Sequence, residues 1–505
     1  MKIKMSNITM ILLMAVISMI TACGGGGGSA NTAPTAEAQS LSTDEDVALA
    51  ITLSGNDAEG NPLTYVVNAP AHGSITGTAP NITYTPNANY NGPDAFSFTV
   101  KDTADESAPA SINITVNPIS DLASFQAAYI VIGQADFTGT TGNQGGTADA
   151  NTISEPYGNP GVANGILYLS EYGNSRLLGF NTIPSENNAV ADFVLGQPDF
   201  TTTNSALSAT GFSGTQTVAF DGNKMFVVEY EANRVLIWNN TPTSGGVPAD
   251  IVVGQSDFTT GAGGGCSANG LEFPETLWAA NGKLVVTDTD HNRVLIWNSI
   301  PSSNNVPADI VLGQQDFTHC AANDTDNDGA SDGVSAATLN SPAGVWTDGT
   351  RLVVLDWSNN RALIWNTFPT SNFTPADVVL GQSNFVNNRA NDDNQDGTVD
   401  TTPTARTLDS PYDGVYSNGR QLYITDTDNN RVLIWNTFPT SNFTPADVVL
   451  GQADFTLKAA NDSDGDGTTD SASAQTLDFP TGVYLSGSQL IVADTNNHRY
   501  LIYND

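Results

Sequence analysis

The chain has 505 residues, 39% of them hydrophobic, with 47 Gly and 25 Pro, which fits two or more turn-rich β domains and excludes a disordered or fibrous class. Its 53 acidic and 16 basic residues give a formal charge of -37. Such a field repels phosphate backbones and attracts cations, so nucleic acid is excluded as a partner.

Lys2 and Lys4 precede an apolar run from Ile8 to Ile20, and Thr21-Ala22-Cys23 follows. The run is shorter than the ~20 residues of a spanning helix. The pattern resembles a bacterial lipoprotein signal, which implies that residues 1–22 are a signal peptide and that Cys23 is lipidated. Gly24 rather than Asp after the cysteine resembles outer-membrane sorting, and the Gly-rich stretch over 23–30 is then a flexible tether.

Residues 31–118 alternate with period two in Leu63-Thr64-Tyr65-Val66-Val67, Ile82-Thr83-Tyr84, Phe96-Ser97-Phe98-Thr99-Val100 and Ile112-Asn113-Ile114-Thr115-Val116, between Asn, Gly and Pro clusters. About seven short strands in this length predict a β-sandwich. The stretch from Tyr84 to Asp102 resembles bacterial Ig-like or cadherin-like repeats. Members of that family often hold calcium between domains, and Asp44, Asp46, Asp57 and Glu59 fall where its acidic residues stand. The usual Asp-Gly-Asp is Glu59-Gly60-Asn61 here, so the expected role is a spacer.

After a linker over 119–126, repeats fill residues 127–505. The motif G-Q-x-[DN]-F starts at Gly133, Gly196, Gly254, Gly313, Gly381 and Gly451, and a hairpin arginine recurs at Arg176, Arg234, Arg293, Arg361, Arg431 and Arg499. The arginines are 58, 59, 68, 70 and 68 residues apart, longer than the ~40–50 of common propeller repeats, so the excess is loop. Each repeat reads as four strands; in the fifth these are 414–417, 421–425, 431–435 and 447–450. Val432-Leu433-Ile434-Trp435 is apolar on both faces, as a strand packed between neighbouring sheets must be. A four-stranded sheet buried on both faces and repeated radially is a propeller blade.

The blades resemble NHL repeats, most clearly in Pro342-Ala343-Gly344-Val345 with Asp356, Asn360 and Arg361, and in Pro480-Thr481-Gly482-Val483 with Asp494, Asn497 and Arg499. Blade two, with Glu229 for the aspartate, matches least. The expected fold is therefore all-β: a six-bladed NHL-like β-propeller preceded by a β-sandwich. The sixth blade lacks an outer strand, and an orphan copy, Ala128 to Gln134, stands ahead of the first blade, so an N-terminal strand is expected to close the ring.

The Asp-Asn-Arg hairpins read as structure: a charge-assisted pair and an Asn at positive φ fasten the turn between the second and third strands. RNA-binding eukaryotic relatives use a basic face, which this chain lacks because six of its 16 basic residues are these arginines.

Three acidic loops precede blades four, five and six. They are Asp324, Asp326, Asp328 and Asp332; Asp392, Asn394, Asp396 and Asp400; and Asp462, Asp464, Asp466 and Asp470, each with Gly after the third ligand. The shared D-x-[DN]-x-D-G-x-x-D places side-chain oxygens at positions 1, 3, 5 and 9, as calcium requires. The loops resemble EF-hand-like loops of the thrombospondin type 3 and dockerin kind. Position 12 is Ser335, Pro403 or Ser473 rather than glutamate, which lowers the expected affinity.

Cys266 and Cys320 lie in consecutive inter-blade loops, and either a disulfide or two free thiols fits that placement. Catalytic candidates are sparse. His72, His291, His319 and His498 lie off the inner strands. A possible axial pocket comprises Tyr157, Gln216, Glu275, Tyr412 and Asp413, which otherwise form a polar, water-filled entrance. The functional expectation is a calcium-stabilised binding protein of the cell envelope, with a glycan or protein ligand. The alternative is a hydrolase or lyase acting at the axial mouth.

Overall fold

The computed structural model describes residues 31–504 except 89, 118, 120 and 205. The signal segment 1–22, the tether over 23–30 and Cys23 lie outside the described residues. The chain divides into two compact units, Met1–Pro118 and Ile119–Asp505. No described helix is long and apolar enough to cross a membrane.

The first unit is a β-sandwich. One sheet orders Gln39–Asp44, Ala110–Asn117, Gly92–Lys101 and Thr64–Val67, and the other orders Leu49–Thr52, Asn81–Pro86 and Gly73–Thr78. Burial alternates residue by residue along Ala110–Asn117, so Ile112, Ile114 and Val116 face Tyr84, Phe96 and Phe98 in the core. Gln39–Asp44 runs parallel to Ala110–Asn117, whereas the remaining pairs within the two sheets are antiparallel.

The second unit is a β-propeller, and its described residues form six four-stranded sheets. In the fifth, Val415–Ser417, Leu422–Asp426, Arg431–Trp435 and Val448–Leu450 follow in order as an antiparallel meander. The sequence VLIW works because the strand serves two seams at once. Leu433 and Trp435 pack toward blade four, and Val432 and Ile434 toward blade six. Apolar clusters of this kind fill the seam between each consecutive pair of sheets, including the seam between blades six and one, where Ile130, Ile132, Ile491 and Ile502 meet Leu167, Leu169 and Leu178. At ~25 cal/mol per Å² of apolar area these seams are the main cohesive term. Four tryptophans fix the register of the blade ends by donating Nε1–H to a backbone carbonyl, as Trp365 does to Thr374 (2.9 Å) and Trp435 to Thr444 (3.0 Å).

Ile130–Ile132 pairs antiparallel with Arg499–Tyr503, with Ile130 opposite Ile502. The N-terminal strand of the unit thus forms the outer edge of the sheet whose other strands come last in the chain, and this closes the ring. The first strand of blade five starts at Val415 rather than at Gly414, because Asp413 interrupts it with φ 51°.

Candidate functional site

The hairpin arginines are fully buried scaffold. Arg361 Nε donates to Asp356 (2.7 Å), Nη1 to the Phe385 carbonyl (2.7 Å), and Nη2 to the carbonyls of Ser335 and Thr338 (both 2.9 Å). One side chain thereby ties its own hairpin to the loop entering the blade and to the loop leaving it. Arg293, Arg431 and Arg499 repeat the arrangement with Asp288, Asp426 and Asp494, and Arg176 and Arg234 use Glu171 and Glu229. The aspartates' other oxygen accepts a backbone N–H, from Asn340 to Asp356 for example (2.7 Å). The glutamine of G-Q-x-[DN]-F joins the same clamp: Gln382 Nε2 donates to the Asn360 and Arg389 carbonyls. With four of the five guanidinium N–H donors of Arg361 committed to these partners and the side chain fully buried, the arginine is not available to a ligand.

The three acidic loops fold alike. Position 1 is buried and accepts backbone N–H groups from its own loop: Asp324 from Asn327 and Gly329, Asp392 from Asp396 and Gly397, and Asp462 from Gly465, Asp466 and Gly467. The glycine at position 6 has φ of 85°, 86° and 86° in the three loops, a turn open chiefly to glycine. Position 3 accepts from the amide of position 5, and position 5 from that of position 7. Position 9 turns back onto position 2, as when Asp470 accepts from Ser463 N–H (3.1 Å) and Oγ (2.8 Å).

Carboxylate oxygens of Asp324, Asp326 and Asp332 lie within 4.8 Å of one another, as do those of Asp462, Asp464 and Asp470. In the middle loop the amide of Asn394 replaces the third carboxylate. These clusters could hold a metal ion. Desolvation and then the charges of Asp328, Asp332 and Asp324 raise the pKa of Asp326. Thr325 holds Asp332 below its ordinary range, and Thr398 and Thr468 do the same for Asp396 and Asp466. At position 12, Ser335 and Ser473 are engaged with Thr338 and Thr476.

The loops are anchored by residues that sequence reasoning passed over. Asn323, just before the first loop, exchanges two hydrogen bonds with Asn359 of the adjoining hairpin (3.1 and 2.9 Å), and Asn391 with Asn429 and Asn461 with Asn497 repeat the pair. The only sequence signal was an Asn standing before each acidic loop. A cavity of about 270 Å³ opens beside the middle loop, lined by Asp393, Asn394, Asp400, Thr401, Thr402 and Thr404.

Cys266 and Cys320 form a disulfide with Cα atoms 6.2 Å apart. It brackets the third hairpin, since Asn292 donates to the Cys320 carbonyl and Arg293 to the carbonyl of Ser267.

At the axis, the expected pocket residues differ in burial, the tyrosines being half-buried and the carboxyls enclosed. Glu275 is 2% exposed and Asp413 is 0% exposed. Tyr412, Asp413 and Gln216 stand beside Glu275. Burial drives Glu275 up to about 7, and burial followed by the charge of Glu275 drives Asp413 well above the carboxylate range. Burial and the nearby charges of Asp413, Glu155 and Glu275 push Tyr157 up to about 12. Half-buried aromatic rings join across the mouth: Tyr412 touches Tyr157, Trp357 and Phe479, and Tyr157 touches Tyr172. The chemistry on offer is that of a buried carboxyl pair under an aromatic collar.

The histidines serve local structure. His498 Nδ1 accepts the Glu155 N–H (2.9 Å), His291 and His319 contact Asp288 and Asp316, and His72 stacks on Tyr90.

Residues 31–115 match the bacterial Ig domain family. Among solved structures, the chain is similar to the PQQ-bound aldose sugar dehydrogenase of Streptomyces coelicolor (12% identity over 70% of this chain and 95% of that one, TM-score 0.36). It is also similar to the calcium-binding protein regucalcin of Agrobacterium tumefaciens (10% identity, 71% and 92%, TM-score 0.34) and to BamB of Moraxella catarrhalis (10%, 77% and 99%, 0.30). No curated protein matches the chain.

Proposed function

We propose that the protein is a binding protein of the bacterial cell envelope, lipid-anchored through Cys23 at the outer membrane, which presents a calcium-stiffened propeller rim to a glycan or protein ligand. The observation that carries the reading is the threefold repetition of one loop. Asp324, Asp392 and Asp462 each cap their own loop's amides, and in the first and third loops carboxylate oxygens of positions 1, 3 and 9 lie within 4.8 Å of one another. An all-oxygen donor set suits a hard cation, and an ion there would offset the desolvation and the mutual repulsion that raise Asp326. The polar cavity beside Asp400 and Thr402 offers hydroxyl and carboxylate partners to a ligand's hydroxyls. The tandem Ig-like unit acts as a spacer, and the charge of -37 keeps nucleic acid away.

Glycan and peptide arrays probed with the full chain, in calcium and in chelator, test the proposal. Binding should require calcium and should fall at least tenfold in Asp400→Ala or Thr402→Ala. Binding that survives chelation and both substitutions would overturn the rim as the site. For the anchor, Cys23→Ser should move the protein from the membrane fraction to the soluble fraction.

A further inference from the structure

One group of buried polar atoms is used neither by the scaffold nor by the rim. Glu275 Oε2, both carboxylate oxygens of Asp413 and Gln216 Oε1 are enclosed and make no hydrogen bond of ordinary geometry, their polar neighbours being one another and Tyr412. They come from three different blades, two, three and five, and Gln216 and Asp413 both stand beside Glu275. Buried acceptors without donors are costly, and several in one place call for an unseen positive partner.

The backbone has been altered to create this arrangement. Blades four and six run Pro342-Ala343-Gly344 and Pro480-Thr481-Gly482, whereas blade five runs Pro411-Tyr412-Asp413-Gly414, one residue longer. The added length puts Asp413 at φ 51°, a left-handed conformation that Asp adopts more readily than most side chains. Blade one carries a similar extra residue in Pro156-Tyr157-Gly158-Asn159, and there a glycine occupies the left-handed position, with φ 70°. Blade five thus carries a carboxylate at the place where blade one has a glycine.

Farther along the same inner strands, Trp278 and Tyr416 pack edge to face at 5.8 Å, and Tyr484 lies 4.9 Å from Tyr416. On the other side stands the collar of Tyr157, Tyr412, Trp357 and Phe479.

We infer that Glu275, Asp413 and Gln216 form an axial binding site for one hard divalent cation of the calcium class, separate from the rim loops. Every donor is an oxygen and two are carboxylates, the preference of a hard cation rather than of zinc or copper. The ion gathers three blades around the axis, so it locks the ring from inside while the disulfide and hairpin clamps hold its periphery. The inference does not depend on calcium at the rim.

Metal content of the full chain distinguishes the two. In the variant Asp326→Ala/Asn394→Ala/Asp464→Ala, which disables the rim, equilibrium dialysis against calcium should leave one ion per chain. Terbium, excited through the neighbouring Tyr and Trp rings, should saturate with the same stoichiometry. Adding Glu275→Gln or Asp413→Asn should weaken that remaining ion at least tenfold. Both replacements keep side-chain shape, and a cooperative metal-free melt establishes that each variant is folded. No residual ion in the rim-disabled protein would overturn the axial site while leaving the rim proposal intact. A residual ion indifferent to both axial substitutions would overturn it too.

Discussion

Removal of calcium is the sharpest test of the rim, because its size follows from the structure. Each loop already has its amides capped by Asp324, Asp392 or Asp462, so the metal-free loop stays folded and binding adds stability by mass action alone. With serine or proline at position 12, affinities fall in the range of extracellular modules, a Kd of about 10⁻⁴ M. At ~10 mM calcium, roughly 100 times that Kd, each site contributes about 2.7 kcal/mol. Three sites on separate blades are expected to be additive, giving about 8 kcal/mol. Unfolding entropy is about 2.1 cal/mol/K per residue, so a unit spanning Ile119–Asp505 gains about 3 °C per site and about 10 °C in all. Calorimetric melts in calcium and in chelator measure this directly. Asp326→Ala and Asp464→Ala should each remove about one third of the gain, yet shift the chelated melt by no more than about 0.5 kcal/mol, since both side chains are exposed. Superimposable melts with and without calcium would refute the reasoning.

Three further outcomes are expected. Arg361→Met strands Asp356 as a buried, unpaired charge and should cost about 3–5 kcal/mol in urea unfolding, while Asp356→Asn in the same chain should recover part of it. Cys266→Ser with Cys320→Ser opens a crosslink spanning 54 residues and should lower stability by about 2–4 kcal/mol, matched by reduction of the native protein. Burial, then the charges of Asp426 and Asp428, raise Asp409 from 3.8 to about 6, so the folded state holds a proton that the unfolded state releases. That stability is present in acid and lost as pH rises through 6. Asp409→Asn should therefore melt higher than the parent at pH 7.5, with the gap closing between pH 6 and 4.

Local chemistry was legible in the sequence wherever one strand or turn decides it. Val432-Leu433-Ile434-Trp435 could be read because its two apolar faces belong to a single strand, and the positive φ of Asn360 and Asn430 because the hairpin itself demands it. The closing strand could be read from the orphan copy ahead of blade one. What escaped were pairings between residues far apart in the chain. Asn323 gives no sign that Asn359 will meet it, and the Phe385 carbonyl that Arg361 takes belongs to no motif that names a carbonyl. Glu275 and Asp413 were placed near the axis but expected to be wet. Their burial depends on rings from blades one, four, five and six closing over one mouth, which no single repeat encodes.

The same contrast separates scaffold from function. A position that must do the same job in every blade keeps the same chemistry, and here it ends up buried: the arginines, their carboxylates and the glutamines are all enclosed. A position free to differ can acquire a role in one blade only, and such departures gather where blades converge. The inserted Asp413 shows why they must be read against their neighbours. Blade one has Gly158 at that place, so the carboxylate is blade five's own departure rather than a backbone requirement. Two orphaned oxygens beside a second buried carboxyl point to an ion on the axis as its reason, and they direct the search for function inward as well as to the rim.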